Sequence, residues 1–204
     1  MTIYLTNAGK RFNRDWIFRN INYTFLPGQA YAITGSNGSG KSTLLQVLAG
    51  SMEISEGSIV MEAENKKIEI EKAYTQIAIA APYIELIEEM TANEFLLFHS
   101  KFKPFANISI VEILKIIGLE KSADKQIRYY SSGMKQRLKL AQAFFSHVPI
   151  ILLDEPCTNL DATGYELYNE LITKYTNGKT VIVSSNDVQE YSFCRHVISM
   201  ADYK

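Results

Sequence analysis

The sequence predicts an α/β fold. A mostly parallel sheet is covered by helices, with an antiparallel β part at the N-terminal end and a helical subdomain inserted between strands. Three observations predict it. Short apolar runs (AYAIT, QIAIAAP, IILLD, TVIVSS) are separated by segments of helical period. Residues 3–33 alternate between apolar and polar, as in TIYLT and IFRNINYTF. Strand character is missing over residues 85–130.

Taken in order, the first segments, with a turn signal at Pro27-Gly28, predict short antiparallel strands that lead into the strand YAIT. After the stretch GSNGSGKST, Lys41 to Ala49 carries apolar residues at helical spacing and stops at Gly50, a glycine terminator. GSIVMEA and KKIEIE, joined at Glu64-Asn65, predict a hairpin, and QIAIAAP a buried strand ending at Pro82. Residues 91–102, 108–117 and 133–145 then have helical period, with Met134, Leu138, Ala141 and Phe145 on one face. IILLD, a helix over about 161–176, TVIVSS, a short helix near 188–193 and HVISM complete the pattern. The chain is expected to be one domain, with its core at about 1–84 and 131–204 and the helical subdomain at about 85–130.

With 204 residues, 47% hydrophobic and 21% charged, the chain is long enough to bury a substantial core. A net charge of −1 supplies no field for nucleic acid, so a DNA or RNA partner is not expected. The two cysteines, Cys157 and Cys194, lack metal-ligand spacing and suit a reducing cytosol. The opening MTIYLTNAGKRF lacks a signal-peptide core, and no run approaches the roughly 18 apolar residues of a membrane span. Any work at a membrane therefore needs a separate anchor.

The chemistry begins at Gly35, Ser36, Asn37, Gly38, Ser39, Gly40, Lys41, Ser42 and Thr43. Gly-x4-Gly-Lys-Ser between a strand and a helix is the phosphate-binding loop of P-loop NTPases. Its glycines let backbone N–H groups turn toward phosphate oxygens, Lys41 supplies a point charge at the β and γ phosphates, and the Ser42 hydroxyl suits Mg²⁺. The second constellation is PIILLDEP, residues 149–156. Asp154, at the end of a buried parallel strand, is a metal-holding candidate through an ordered water. Glu155 is placed to act as general base on a water beside the γ-phosphate.

On YSSGMKQRLKLAQAFF, a segment shortly before the acidic strand, the chain resembles the nucleotide-binding subunit of an ATP-binding cassette (ABC) transporter. Ser131 and Gly133 match the family's Leu-Ser-Gly-Gly-Gln signature, while Tyr130, Ser132 and Met134 depart from it. The resemblance implies a homodimer or heterodimer with another cassette. In that arrangement one subunit's signature closes over the other's phosphate loop, with two Mg-ATP between them. It also implies a separate transmembrane permease, contacted through about residues 83–105, and a peripheral location on the cytoplasmic face. Phe12, 23 residues before Gly35, occupies the place of the adenine-stacking aromatic, with Trp16 as the alternative. TNLDA resembles the loop in which Asp161 communicates between the two sites of the dimer, and Cys157 reads as a small packed side chain.

Two departures bear on turnover. Where the family has a glutamine after the strand QIAIAAP, this chain has Pro82-Tyr83; Gln76 lies too early and Glu85 is a weak substitute. Where the family has a histidine aimed at the γ-phosphate, SSND places Asn186, which donates and accepts hydrogen bonds but carries no charge. His99 and His147, in stretches read as helical, and His196, at the start of a strand, do not fit that place. The leading expectation is an ATP-hydrolysing transporter subunit. A cassette that binds ATP as a slow switch and a soluble non-transport ATPase remain as alternatives.

Overall fold

The computed structural model describes residues 1–64 and 66–204. Strands β1 (Thr2–Phe12) and β2 (Asp15–Phe25) are antiparallel partners, and β3 (Ala30–Thr34) leads to the glycine loop and α1 (Lys41–Leu48). β4 (Glu56–Ala63), β5 (Lys66–Ile68) and β6 (Ile77–Ala80) follow. Three helices, α2 (Ala92–Phe102), α3 (Ile110–Ile116) and α4 (Ser132–Phe144), then separate β6 from β7 (Ile150–Asp154). The chain ends with α5 (Ala162–Tyr175), β8 (Thr180–Ser184), α6 (Val188–Tyr191), β9 (His196–Ser199) and a 3₁₀ turn over Met200–Tyr203.

Two sheets form, as the α/β reading requires. One is antiparallel, ordered β2-β1-β4-β5; the other is parallel, ordered β6-β7-β8-β3-β9. The antiparallel pair expected over residues 3–33 is present, in longer strands than expected. β1 and β2 run for 11 residues each, and their turn is Asn13-Arg14, with Asn13 at φ 54. Asparagine tolerates that left-handed conformation better than most residues. Pro27-Gly28 is a turn, as expected, and carries the chain from the antiparallel sheet to the parallel one. A register shift after Leu5 moves the inward positions from Ile3 and Leu5 to Ala8, which blurs the two-residue period. The second hairpin is also shorter than KKIEIE suggests: β5 ends at Ile68, and Ile70–Thr75 is a 3₁₀ segment. Asn65 of its turn lies outside the described residues.

The central strands β7 and β8 are buried on both faces, which explains why β7 reads as an unbroken apolar run. Ile150 and Leu152 enter a core with α1 and the inner face of the antiparallel sheet, represented by Ile3, Phe18 and Phe25. Their neighbours Ile151 and Leu153 enter a second core with α2 to α5. Strand side chains alternate by face, so one strand divides the protein into two cores. The helices begin where the local chemistry directs: Thr91 with Glu94, and Ser109 with Glu112, form capping boxes. On α4 and at its C-cap, Leu138, Ala141 and Phe145 are buried, as the helical period predicts, and Met134 is partly buried.

The histidines lie away from the C-terminal strand ends, and His196 is the first residue of β9. His147 is in the loop after α4 rather than in a helix, and His196 stacks on Tyr31 with ring centroids 4.9 Å apart. His99 sits between Phe95 and Phe105, and its Nε2 is 2.8 Å from Ser146 Oγ. Since the Ser146 hydroxyl donates to the Gln142 carbonyl, it accepts from His99 Nε2–H. Burial, then the nearby Lys103 charge, push the imidazole down to about 4. The folded state therefore resists protonation, and stability falls as pH drops from 6.5 toward 4. Urea unfolding at pH 7 and pH 4.5 is expected to show wild type losing about 2 kcal/mol more than His99→Gln. Equal losses in the two proteins contradict this.

Candidate functional site

β3, β8 and β7 finish at one edge of the parallel sheet. Ile33 is in register with Ser184, and Ser184 with Asp154. The glycine loop, Asp154-Glu155 and Ser185-Asn186 therefore leave adjacent strand ends, where ligands gather in such sheets. Cross-links fix the alignment: Ser185 N–H donates to Ile33 O at 3.2 Å, and Glu155 N–H to Ser184 O at 2.9 Å.

Within the loop, Ser39 N–H donates to Ser36 O at 3.0 Å, and Gly40, at φ 100, begins α1 with no side-chain cap. The first N–H groups of α1 thus have no side-chain acceptor, the arrangement that favours an anion. Lys41 is only 6% exposed, and its Nζ donates to Gly35 O at 2.8 Å and Ser36 O at 3.3 Å. A cavity of about 240 Å³ opens here, bounded by Asn37, Gly38, Lys41, Ser42, Thr43 and Glu155, with Ile17 as an apolar wall. Sequence reasoning did not single out Ile17, because only the packing of β2 against the loop brings it there.

Asp154 is 2% exposed, and its Oδ1 has no hydrogen-bond partner. Burial raises its pKa; the Ser42 and Ser184 hydroxyls and the Lys41 charge oppose the shift, while Glu155 adds to it. A buried carboxylate oxygen without a partner, beside a serine hydroxyl, fits a hard cation such as Mg²⁺. Glu155 stands at φ 43 and lines both this cavity and a neighbouring one of about 480 Å³. Asn186 lines the second cavity, and its Nδ2 donates to Asn37 Oδ1 at 3.0 Å. The sheet thus brings Lys41, Ser42, Asp154, Glu155 and Asn186 to one edge.

Ser131, Gly133 and Asp161 are elsewhere, around a third cavity of about 460 Å³. Ser131 caps α4 by accepting from Met134 N–H at 3.2 Å. Asp161 caps α5, accepting from Thr163 Oγ1 at 2.9 Å, Gly164 N–H at 2.9 Å and Arg137 Nη2 at 3.2 Å. These contacts, that of Thr163 foremost, lower its pKa. Phe12 ends β1 and is 46% exposed, with Lys10 Nζ over its ring at 5.2 Å. Trp16 is already covered by the Arg19 guanidinium at 4.1 Å. In the loop after β6, Glu85 is exposed and lines a groove with Glu88, Glu89, Lys135 and Lys139. Tyr83 is the residue of that loop whose phenol feels the Asp154 charge, and burial, the larger cause, raises its pKa well above the usual range. Cys157 is buried, as expected of a packed side chain.

Residues 18–158 match the family model described as ABC transporter. The chain is 33% identical to the uncharacterized ABC transporter ATP-binding protein YybJ of Bacillus subtilis (strain 168), covering 98% of this chain and 89% of that protein. It is 32% identical to YxlF of the same organism, also an uncharacterized ABC transporter ATP-binding protein, over 94% of this chain but only 65% of that one. In three dimensions it resembles the ATP-binding cassette MJ0796, described as a dimer in a post-hydrolysis state bound to ADP and Pi. The TM-score is 0.81 and the identity 26%, with 97% of this chain and 93% of that chain covered.

At Gly40 a Cβ meets Ile17 Cγ2 at 2.5 Å, and the positive φ disfavours any L side chain. Gly40→Ala is expected to lower the urea midpoint by the equivalent of about 2 kcal/mol. An unchanged midpoint at unchanged slope contradicts the tight approach.

Proposed function

Because this chain belongs to the ABC transporter ATP-binding family, we propose that it dimerises around two Mg-ATP and drives a separate transmembrane permease from the cytoplasmic face. It is an ABC ATPase and binds ATP. The observation that carries the dimer reading is the separation within one chain of Ser131 and Gly133 from Lys41 and Ser42, which line different cavities. A second cassette, of this chain or a partner, brings one set over the other.

In hydrolysis a water oxygen attacks the γ-phosphorus, the bond to the β–γ bridging oxygen breaks with its electron pair leaving on ADP, and Glu155 takes the proton of the water. Lys41 releases the Gly35 and Ser36 carbonyls to meet the β and γ phosphates, the N–H groups of residues 36–43 surround them, and Phe12 stacks on adenine. Ser42 directly and Asp154 through water would hold Mg²⁺, which when bound neutralises phosphate charge. Residues 85–130 form the helical subdomain, and the exposed Ile87, Leu97, Phe98 and Phe102 offer the permease an apolar surface.

A direct test compares Lys41→Ala and Glu155→Gln with wild type in Mg-ATP titrations, phosphate release and light scattering. Lys41→Ala is expected to lose affinity about tenfold or more. Glu155→Gln should lose about 10²- to 10⁴-fold in rate, the scale of a lost general base, while it keeps affinity and accumulates as a dimer at saturating Mg-ATP. Equal affinity in Lys41→Ala and wild type removes the phosphate loop from this reading; a monomeric Glu155→Gln removes self-assembly and leaves a heterodimer.

The bond from Asn186 to Asn37 favours slow turnover as a second reading, since part of a neutral donor is already engaged. Asn186→His is expected to raise the steady-state rate at unchanged Mg-ATP affinity. A slower variant shows asparagine to be a working part of the site.

A further inference from the structure

The turn that follows Glu155 is held by two buried side chains from separate elements. Cys157 N–H donates to Glu190 Oε1 of α6 at 2.8 Å, and Gln136 Nε2 of α4 donates to Pro156 O at 2.7 Å. Glu190 is 3% exposed and Gln136 4%. Glu155 itself has φ 43, left-handed for a residue with a long side chain. Such a conformation persists only where its surroundings over-determine it. Here Ser184 O fixes the N–H of Glu155, while Gln136 and Glu190 hold the two sides of one peptide, Pro156–Cys157, through its C=O and its N–H.

Glu190 is an expensive residue for a merely structural place. Its Oε2 has no hydrogen-bond partner, although the Ser185 hydroxyl is near. Burial, with the Asp187 and Glu155 charges, raises its pKa, against the pull of Ser185 and Cys157 N–H. α6 cannot simply drift with it, because Tyr168 of α5 donates to the Glu190 carbonyl at 2.7 Å. The helix that follows Asn186 is thereby tied to the turn that follows Glu155.

We propose that Glu190 is a positioning residue for Glu155, with Gln136 as its counterpart on α4. Together they hold the Glu155 backbone in its left-handed conformation, so that the carboxylate lines the cavity of Lys41 and Ser42. The inference rests on the general-base reading of Glu155.

Glu190→Gln keeps an oxygen acceptor for Cys157 N–H; Glu190→Leu removes it. In steady-state ATP hydrolysis Glu190→Leu is expected to lower kcat about 10- to 100-fold, the scale of a misplaced catalytic group. KM and Mg-ATP affinity should stay within about threefold, and Glu190→Gln should recover most of the rate. Placed in the Glu155→Gln background, Glu190→Leu should add no further loss. Wild-type kcat in Glu190→Leu, a loss carried by KM alone, equal loss in the Gln and Leu proteins, or an undiminished effect in the Glu155→Gln background each overturns the inference. Should Glu190→Leu fail to fold, Gln136→Leu, which removes the donor to Pro156 O, is held to the same outcomes. A Glu155→Gln protein at full rate defeats the general-base reading and this inference with it. A slow Glu155→Gln beside an unaffected Glu190→Leu defeats the inference alone.

Discussion

The hydrogen-bonded register of β3, β8 and β7 is the constraint on which the rest depends. A parallel ladder fixes not only which strands are neighbours but which residues leave the sheet together. With Ile33 beside Ser184 and Ser184 beside Asp154, three loops begin side by side. A slip of one residue in β7 would turn Asp154 to the other face and put its neighbours into the wrong cores. The apolar alternation of Ile150, Ile151, Leu152 and Leu153 between two cores resists that slip. Hydrophobic packing thus helps to set the position of the Asp154 carboxylate.

Around that edge the protein keeps groups that do little for its own stability. Lys41, Asp154, Ser39, Ser184 and Glu190 are buried, and four of them have a polar atom without a partner. Each such atom costs about 1–3 kcal/mol relative to a satisfied one. Lys41 meets carbonyls of its own loop, a pairing a phosphate can replace. Burial and strain are therefore concentrated where ligand charge is expected, and the apolar cores on either side offset them.

Helix α4 joins the separate parts. Ser131 caps its start, Gln136 reaches Pro156 O, Lys139 Nζ donates to Ala81 O at 3.3 Å and Pro82 O at 3.0 Å, and Lys179 donates to Phe144 O at its end. One rigid element thus touches the Ser131 cavity, the turn after Glu155 and the loop carrying Tyr83.

Much was legible in the sequence. Gly-x4-Gly-Lys-Ser between an apolar run and a helical period, and four apolar residues before Asp154-Glu155, are local patterns; local patterns determine loop type, helix starts and strand class. Thr91 with Glu94 and Ser109 with Glu112 set helix starts by contacts three residues apart. Pro27-Gly28 was legible as a turn, whereas the β1–β2 turn at Asn13-Arg14 was not, because it acts through a strand pairing visible only when both strands are formed. Glu190 had no local mark, and Gln136 stood only within the stretch YSSGMKQRLKLAQAFF, with nothing to point it at the turn after Glu155. Their role depends on α6 and α4 arriving at the same turn, 33 and 20 residues away along the chain. The sequence by itself determined the chemistry carried at each strand end. Tertiary structure alone decided which ends meet, which polar groups lose water and which backbone is held under strain, because each follows from long-range packing, not from neighbours in the chain.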